Sequence, residues 1–572
     1  MIGRKETGMK KGLLLLGLLL LLPLRVMAET PPALFVADAR MDEAITSTGR
    51  PLDAISLFDV QGDRYLFLPA FADASALRVL LEGTDRVTVN GQTLANGEVT
   101  GLFVPGETLR VTLSQEAFEL TVCQSENLPA VFLFTESGES AYIHASKDNR
   151  EPGAVLLVEA DGGVACEQTL SQIRIRGNST TQYEKKAYQI RLEEKQALLG
   201  MDADRTWVLL ANYIDRSLLR NTLALRLASA AGIAYTPEST PVDVYLNNEY
   251  MGNYLLCEKV ETGEGRVEID DLEEATDAVN AQALDSYAPA GNGLDASRNS
   301  RQYGYGEWRP TPDTWRAIDI PQDPADITGG YLLEVGVFRD WAEQPSAFVL
   351  HSGWPLAIKE PEYASVAQTL YIRDRFQHID SAISDGDWAT LSGLIDVDSW
   401  VRKYVLEELL GNYDGGTGSQ YFYKRSGDPL IYCGPPWDYD NILGVNSTVG
   451  QPDGFYVNRR AQQPGAVFPR LWTMEAFRTA ARETYRKVYQ PLVEALLGEA
   501  NDPGGAIQTL ASCAEEIRAS AEMNFIRWPI DYSYHRQVQS TGGSYQENVD
   551  FLSDFLRRRA AFLNESWAFE SE

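Results

Sequence analysis

The residues whose types and spacing could do chemistry lie between Asn412 and Asn441. Two acidic loops occur here, the first reading Asn-Tyr-Asp-Gly-Gly around Asp414 and the second reading Trp-Asp-Tyr-Asp around Asp438 and Asp440. A carboxylate can accept a proton from a hydroxyl group, and it can also bind a divalent metal ion. The spacing therefore allows a proton acceptor in the first loop and a metal site in the second.

Regular elements are predicted to hold both loops in place. A helix over 399–410, with Asp398 as its N-cap and Gly411 at its end, precedes the first loop. A β-hairpin with strands over 421–424 and 430–432 separates the two loops. Kinase-type phosphotransferases carry a catalytic base and then a metal-binding carboxylate in this order. The alternative is that both loops are polar turns whose aspartates cap backbone amides.

A second group of side chains is basic, although the chain as a whole has a net charge of -31. A bound triphosphate needs backbone amides and a fixed cation, and a strand holds a cation more rigidly than a loop does. Strand alternation puts Arg174 and Arg176 on one face. The alternative is an ordinary solvated strand face. The basic residues are Arg174, Arg176, Lys185, Lys186 and Arg191.

The elements around these basic residues follow the plan of a kinase N-lobe. Strands are predicted over 130–134, 153–159 and 171–176, and a phosphate-sized loop and a Lys-bearing strand follow them. A helix over 216–231 has Asp215 as its predicted N-cap. A two-strand ribbon over 242–246 and 253–257 then leads into Glu258.

The remaining parts of the chain differ in composition and in the elements that they predict. The first residues combine Lys10 and Lys11 with a short apolar run and a small-residue cleavage site, which predicts an exported, secreted or cell-surface protein. Alternating apolar runs and an Asn90-Gly91 turn predict a small β-sandwich next. The predicted units are a signal peptide (1–28), a β-sandwich (29–127), an N-lobe (128–272), an irregular insertion (273–328) and a C-lobe (329–572).

Composition excludes several classes of function. The acidic net charge disfavours nucleic acid and anionic lipid as partners, and no second run of membrane-spanning length follows the signal. Five cysteines in no CxxC pattern argue against a disulfide scaffold or a structural zinc site. With four histidines and neither HExxH nor GxSxG, a zincin or an α/β-hydrolase is disfavoured.

Two alternatives to a phosphotransferase stay open. Asp438 and Asp440 could form the carboxylate pair of a secreted glycosidase, although a glycosidase does not need the basic cluster. The chain could instead be a non-catalytic surface-binding or envelope structural protein that keeps a kinase fold.

A series of short motifs then carries a family resemblance. They are Arg176-Gly177-Asn178-Ser179-Thr180, Lys185-Lys186-Ala187-Tyr188, Leu198-Leu199-Gly200-Met201, the run from Trp207 to Asp215, Arg220-Asn221, Val244-Tyr245-Leu246-Asn247-Asn248-Glu249-Tyr250, Gly329-Gly330-Tyr331-Leu332-Leu333-Glu334 and Trp437-Asp438-Tyr439-Asp440. In this order they resemble the CotH (spore coat protein H) kinase family over residues 128–530.

The resemblance implies an atypical, two-lobed protein-kinase-like domain. Together with the small all-β sandwich predicted before it, this gives an α+β fold. The resemblance also implies ATP as cofactor, Mg²⁺ or Mn²⁺ as metal, and a protein Ser or Thr as acceptor, in a cell-envelope or coat protein. By motif position, Asp414 resembles the catalytic aspartate. Asp438 resembles the metal-binding aspartate, with Asp440 as a second ligand.

The resemblance also assigns the nucleotide side of the site. Lys186 is the expected phosphate-binding lysine, with Lys185 next to it, and Arg176 and Glu258 complete the cofactor-binding set. Ser419 stands five residues after Asp414, where ordinary kinases carry a metal-binding Asn.

Overall fold

The structure is a computed structural model of the chain. It describes residues 31–41, 49–294, 300–303, 307–335, 344–445, 450–460, 466–501, 505, 507–529 and 543–568. The predicted signal peptide lies outside the described residues.

The N-terminal region is all-β, as predicted. Its strands form two sheets, in the orders β2-β1-β5-β8 and β3-β4-β10-β9-β6-β7. Asn90 and Gly91 both adopt positive φ in the predicted two-residue turn between β6 and β7. The strands are β1 (Ala33–Asp38), β2 (Ile55–Ser56), β3 (Phe58–Val60), β4 (Asp63–Leu68), β5 (Leu77–Glu82), β6 (Arg86–Val89), β7 (Gln92–Ala95), β8 (Val99–Thr100), β9 (Thr108–Leu113) and β10 (Glu116–Gln124).

The next strands close into a barrel, in the order β11-β12-β13-β14-β15-β17-β16. Closure depends on the parallel pairing of β11 with β16, which aligns Ala130 with Asp243. Alternate side chains such as Ile173 and Ile175 fill the barrel interior. The strands are β11 (Ala130–Thr135), β12 (Glu151–Val158), β13 (Val164–Arg176), β14 (Ala187–Gln196), β15 (Asp204–Leu210), β16 (Ser239–Leu246) and β17 (Glu249–Glu258).

Two helices and a 3₁₀ turn belong to the barrel unit: α1 (Ala141–Ala145), the 3₁₀ turn Ser179–Gln182 and α2 (Arg220–Ala230). Helix α2 starts later than the predicted residue 216, and Asp215 is not its N-cap. The Asp215 carboxylate instead accepts hydrogen bonds from the backbone N–H groups of Ser217 and Arg220, which fold the chain into a turn before the helix.

A second, seven-stranded sheet follows, in the order β18-β21-β23-β24-β22-β25-β26, and β19 pairs with β20 apart from it. Its strands are β18 (Pro289–Gly291), β19 (Ser300–Tyr303), β20 (Glu307–Pro310), β21 (Trp315–Ile318), β22 (Tyr331–Val335), β23 (Ala347–Val349), β24 (Pro355–Glu360), β25 (Gln420–Lys424) and β26 (Tyr432–Cys433). The segment 273–328 therefore differs from the predicted irregular insertion, because two of its strands extend this sheet. These strands are three or four residues long, too short for a period-2 pattern to show.

Helices surround this sheet and continue to the C-terminal part of the chain. Helix α6 is capped by Asp396, whose carboxylate accepts from the Ser399 N–H, and not by Asp398. The helices are α3 (Leu272–Asp277), α4 (Val366–Asp385), α5 (Trp388–Leu391), α6 (Val397–Leu409), α7 (Val467–Leu471), α8 (Glu475–Thr484), α9 (Gln490–Leu496), α10 (Leu510–Glu516), α11 (Arg518–Arg527) and α12 (Tyr545–Ser566); short 3₁₀ turns cover Leu284–Ser286 and Val457–Arg460, and a π-turn covers Tyr485–Tyr489.

The core of the N-terminal β region is continuous with the outer face of the barrel. Phe132 of β11 stacks on Tyr245 of β16, and both pack into the same apolar cluster as Phe67. The Tyr245 hydroxyl also donates to the Phe67 carbonyl oxygen at 3.1 Å. The whole chain is thus a mixed α/β protein in which the N-terminal sheets cover one side of the barrel. Among the described helices, none is both long enough and apolar enough to cross a membrane.

Candidate functional site

The loop after β26 carries Asp438 and Asp440 to the edge of the barrel. Asp438 is exposed and adopts a left-handed backbone conformation, with φ of 69°. The Ser419 hydroxyl donates to Asp438 Oδ2 at 3.2 Å, which joins the start of β25 to this loop. The residue that replaces the expected Asn therefore does lie beside the predicted metal-binding aspartate.

Asp440 is surrounded by negative charge. Burial, followed by the carboxylates of Asp438, Asp215 and Asp414, raises its pKa well above the ordinary value. The Arg220 guanidinium acts in the opposite direction. The structure thus brings the three predicted aspartates into one electrostatic cluster and adds a fourth, Asp215. Such a cluster favours a bound cation.

Asp414 lies in the loop that follows α6. Its carbonyl oxygen accepts from the N–H groups of Thr417 and Gly418, and its own N–H donates to Asn412 Oδ1 at 3.0 Å. Gly416 has a φ of 76°, and a Cβ there would lie 2.7 Å from the Phe468 ring. Only glycine meets both conditions without strain. The turn is therefore closed by hydrogen bonds of backbone groups. It holds Asp414 close enough to Asp440 for the two carboxylates to interact.

A buried carboxylate, Glu407 of α6, connects the two acidic loops by hydrogen bonds. Its Oε2 accepts from the Asn412 side-chain amide at 2.6 Å, and its Oε1 accepts from the Tyr439 hydroxyl at 2.8 Å. The Lys403 ammonium forms an ion pair with Glu407 one helical turn away. Both charged groups are almost fully buried, so this network fixes the separation of the loops.

A second buried network ties the cluster to α2. Arg220 forms an ion pair with Asp215, and its guanidinium also donates to the carbonyl oxygens of Ile442 and Leu443 at 2.8 and 2.9 Å. The neighbouring Asn221 accepts from the backbone N–H of Tyr439 at 2.8 Å. The start of α2 therefore positions the loop from 438 to 443 along its whole length.

Arg176 is the predicted nucleotide-binding residue that reaches this cluster. It ends β13, and its guanidinium lies 5.2 Å from the centre of the Trp437 ring. Burial lowers its pKa, while Tyr421, Asp438 and Glu334 act to raise it. The guanidinium thus stands at the junction of the barrel and the seven-stranded sheet, beside the acidic loop.

Lys186 lies at the base of the predicted phosphate loop. Its ammonium donates to the Thr181 carbonyl oxygen at 2.8 Å, and its carbonyl oxygen accepts from the Tyr254 hydroxyl. Gly177 opens this loop with a φ of 97°, and a Cβ there would collide with the Thr180 hydroxyl. Lys186 and Gly177 therefore fix the loop in a folded conformation.

Lys185 points to a different part of the molecule. Its ammonium is buried, and it donates to the Asn253 carbonyl oxygen and to Asn524 Oδ1, the latter at 2.8 Å. Burial lowers its pKa well below the ordinary value, and Asp243 partly opposes this. Lys185 therefore joins the barrel to α11 and does not lie with the acidic cluster. Successive residues leave the chain in opposite directions here, as on a strand.

Glu258 also lies away from the acidic cluster. It is paired with Arg266, and its Oε2 accepts from the Glu238 N–H at 2.9 Å. Burial raises its pKa to about 7. Glu258 lines a cavity of about 300 Å³ with Tyr235 and Lys259, near the C-terminal end of α2. The acidic cluster lies at the other end of this helix, which begins at Arg220.

The fit of a metal ion can be judged from the side chains present. Among the described residues, no group of three or more His, Cys, Asp or Glu side chains is arranged to hold a metal by itself. Mg²⁺, however, is usually held by one or two carboxylates, with waters and substrate phosphates completing its octahedron. Asp438 and Asp440 supply such a pair, and burial, followed by the neighbouring carboxylates of Asp438, Asp215 and Asp414, raises the pKa of Asp440. The residues therefore fit a divalent cation that is bound together with a phosphate ligand.

Comparison with known families gives one match. The family model described as CotH kinase protein matches residues 173–563, which is more than half of the chain. The chain therefore belongs to the CotH kinase family, as its motifs predict. No curated protein matches the chain. The matched region begins inside β13 and ends inside α12, so it excludes the N-terminal sheets and the first two strands of the barrel.

Sequence reasoning gave no role in the site to Asp215, Arg220, Asn221 and Glu407. Arg220-Asn221 is recognisable in the sequence as a family motif. Two polar residues at the start of an otherwise apolar helix also indicate a polar network. Glu407 carries no such signal, because a glutamate in a helix is ordinary until its burial is known.

Proposed function

We propose that this chain is an exported, ATP-dependent protein kinase that uses Mg²⁺ or Mn²⁺ to phosphorylate Ser or Thr in proteins. The observation that carries the proposal is the convergence of Asp414, Asp438 and Asp440 beside Arg176, in a protein of the CotH kinase family. In this proposal the barrel and the helix-covered sheet act as the two lobes of an atypical kinase, and the acidic cluster lies at their junction.

The chain's own residues divide the work as follows. Asp438 and Asp440 hold the divalent metal, which when bound neutralises phosphate charge and orients the phosphates. Arg176, beside the acidic loop, binds phosphate oxygens as a planar cation. Lys186, at the base of the phosphate loop, would release the Thr181 carbonyl oxygen to bind phosphate as a point charge. Trp437 supports Arg176, and the pairing of Ser419 with Asp438 keeps that carboxylate oriented.

Asp414 acts on the acceptor. A Ser or Thr hydroxyl becomes a better nucleophile when a positioned carboxylate accepts its hydrogen bond and then its proton. The loop that holds Asp414 is fixed by Asn412 and Glu407, so the backbone that carries the carboxylate is in place before substrate binds. The nearby carboxylates disfavour a free alkoxide on the acceptor, so a divalent cation bound beside them would favour removal of the hydroxyl proton.

The first test is nucleotide binding by calorimetry. ATP should bind only with Mg²⁺ or Mn²⁺ present, and Asp438→Asn should weaken binding by at least about tenfold, because a bound metal loses one of two carboxylates. The matched control is Asp277→Asn, an exposed aspartate at the end of α3. If the parent chain binds no nucleotide at millimolar concentration with metal present, the kinase proposal fails and a purely binding role replaces it.

The second test is phosphotransfer itself. Incubation with γ-labelled ATP and each metal should label the chain or an added protein on Ser or Thr. Cleavage of an oligosaccharide without any such labelling would favour the glycosidase alternative, which uses the same pair of aspartates.

Export is the third part of the proposal, and it rests on the sequence of the first 28 residues. Protein recovered from culture fluid or from the cell surface should begin at or near Glu29. An intact Met1 or Met9 terminus on the mature protein would contradict export.

A further inference from the structure

Three arginines form a row on the outside of the barrel, beside the phosphate loop. Ile173 and Ile175 point into the barrel, so Arg174 and Arg176 point outward from β13. Glu151 of β12 pairs with Ile173, and this register places Arg150 beside Arg174. The row therefore runs along β13 from Arg176, next to the acidic cluster, to Arg174, and turns there to Arg150, which precedes β12.

The row is an unbalanced concentration of positive charge. Burial lowers the pKa of Arg174, and the next largest contributions come from the repulsion of Arg150 and Arg176. Asp148 is the acidic residue that acts in the opposite direction. Arg150 is exposed and has no ion pair among the residues that the structure describes. In a chain with a net charge of -31, the row is an isolated site for an anion.

One polar atom of the row is also left without a partner. Arg174 donates from Nη2 to Gln189 Oε1 at 3.1 Å, but its Nε is buried and makes no hydrogen bond to any described residue. A buried unpaired N–H is costly. Because this Nε has almost no exposed surface, a carboxylate of a ligand would bind the Arg174 guanidinium through its Nη atoms.

We propose that this row binds an acidic segment of a partner protein, in which Asp or Glu side chains alternate along an extended chain. Alternate residues of β13 lie about 6.6 Å apart, which is also the spacing of alternate side chains in an extended peptide. Arg176 and Arg174 can therefore each meet one carboxylate of the segment, and Arg150, beside Arg174 on the neighbouring strand, adds its charge to that end. Arg176 lies at the acidic cluster while Arg174 and Arg150 lead away from it, so a segment on the row extends beyond the space of a nucleotide's phosphates.

The identification of this segment as part of the kinase substrate rests on the proposed function, whereas the binding itself does not. The row would hold residues next to the acceptor Ser or Thr and so select acidic flanking sequence. Arg150 lies outside the family match at residues 173–563, whereas Arg174 and Arg176 lie inside it.

The test is fluorescence anisotropy of labelled decaglutamate with the full chain at low salt. We expect saturable binding that weakens with added salt. Arg150→Glu should bind the peptide about fivefold more weakly, because its carboxylate repels the glutamates that the exposed arginine attracts. Arg150→Glu combined with Arg174→Gln should weaken it further. The matched control is Arg86→Glu, the same substitution at an exposed position on β6, which should change binding less than about twofold.

Three results would overturn the proposal: no saturable binding at millimolar peptide, an equal loss in the Arg86→Glu control, or binding of an anionic vesicle or an oligonucleotide at the row when decaglutamate does not bind. Asp438→Asn separates this proposal from the kinase function. That variant should bind the peptide no more weakly than the parent, because it removes a negative charge near Arg176, while it loses metal-dependent ATP binding. Failure of either proposal therefore leaves the other measurable.

Discussion

The hydroxyl of Tyr439 donates a hydrogen bond of 2.8 Å to Glu407 Oε1, and Tyr439 stands between Asp438 and Asp440 in the chain. The other oxygen of Glu407 accepts from Asn412, two residues before Asp414. One buried carboxylate therefore sets the distance between the loop assigned to proton transfer and the loop assigned to metal binding. Neither loop can shift without breaking a hydrogen bond in the core.

Replacement of Glu407 should therefore affect both stability and rate. Glu407→Gln keeps the shape of the side chain but leaves the Lys403 ammonium buried without its counter-charge, so we expect the free energy of unfolding to fall by about 3 kcal/mol. The amide keeps one acceptor oxygen for the two donors Asn412 and Tyr439, so one loop loses its anchor. Phosphotransfer should therefore fall by about tenfold in kcat, with a smaller change in the KM for ATP. Denaturant unfolding and steady-state labelling measure the two effects.

The control for this prediction removes both charges. Lys403→Met together with Glu407→Gln no longer buries an unpaired ion, so it should recover most of the stability while the rate stays low. If Glu407→Gln alone has the stability and kcat of the parent, the network does not position the loops.

The sequence predicted the local elements of this fold better than their long-range assembly. The β6–β7 hairpin follows from Asn90-Gly91, and the hairpin of β25 and β26 from its turn residues, because both are decided by neighbouring residues. Closure of the barrel depends on pairing between β11 and β16, more than a hundred residues apart. A local hydrophobic pattern carries no information about that pairing.

The candidate site shows the same division. Motif position led to Asp414, Asp438 and Asp440, which the fold brings into one cluster. It could not distinguish Lys185 from Lys186, because adjacent residues of equal chemistry point to opposite sides, one into the core against α11 and one into the phosphate loop. Cap chemistry failed similarly at α6, where two aspartates two residues apart are both good N-caps.

A buried histidine should make the stability of the barrel depend on pH. His144 of α1 hydrogen-bonds through Nε2 to the Tyr188 hydroxyl at 2.9 Å, and burial, with Lys186 nearby, lowers its pKa to about 4. The unfolded chain binds a proton there near pH 6.5, so it takes up more protons than the folded chain between pH 6.5 and 4. Stability should therefore fall as the pH is lowered through this range, by at most about 1.4 kcal/mol per pH unit from this group.

The measurement is urea unfolding of the parent and of His144→Gln between pH 6.5 and 5. Gln keeps a hydrogen-bonding group for Tyr188 but does not titrate, so the variant should show a shallower loss of stability towards acid. His378→Gln, at an exposed position on α4, should leave the slope unchanged. Parallel pH profiles for the parent and His144→Gln would refute this role for His144.

The continuous core between the N-terminal sheets and the barrel predicts that they unfold together. Phe132 is 1% exposed, and it stacks on Tyr245 with the ring centres 4.7 Å apart. Phe132→Ala should leave a cavity at this junction and lower the free energy of unfolding by about 3–5 kcal/mol in one cooperative transition. Val99→Ala, at a half-exposed position in the same β region, should have little effect. Two separate unfolding transitions in the parent would show instead that the β region is an independent domain.

Substitution of Asp414 separates catalysis from structure. Asp414→Asn keeps the shape of the side chain and the backbone hydrogen bonds that close its turn, to Thr417, Gly418 and Asn412. It removes the basicity that a proton acceptor needs. We therefore expect the variant to melt within a few degrees of the parent and to bind ATP and metal about as tightly.

Phosphotransfer by Asp414→Asn should nevertheless fall by at least about two orders of magnitude, since a positioned general base typically supplies about 10²- to 10⁴-fold in rate. If Asp414 is instead only a turn residue, its replacement should cost about 1 kcal/mol of stability and leave turnover intact. Melting temperature and labelling rate, measured on the same preparation, decide between the two roles. A variant that melts early and still phosphorylates at the parent's rate would show that Asp414 shapes the loop and takes no part in proton transfer.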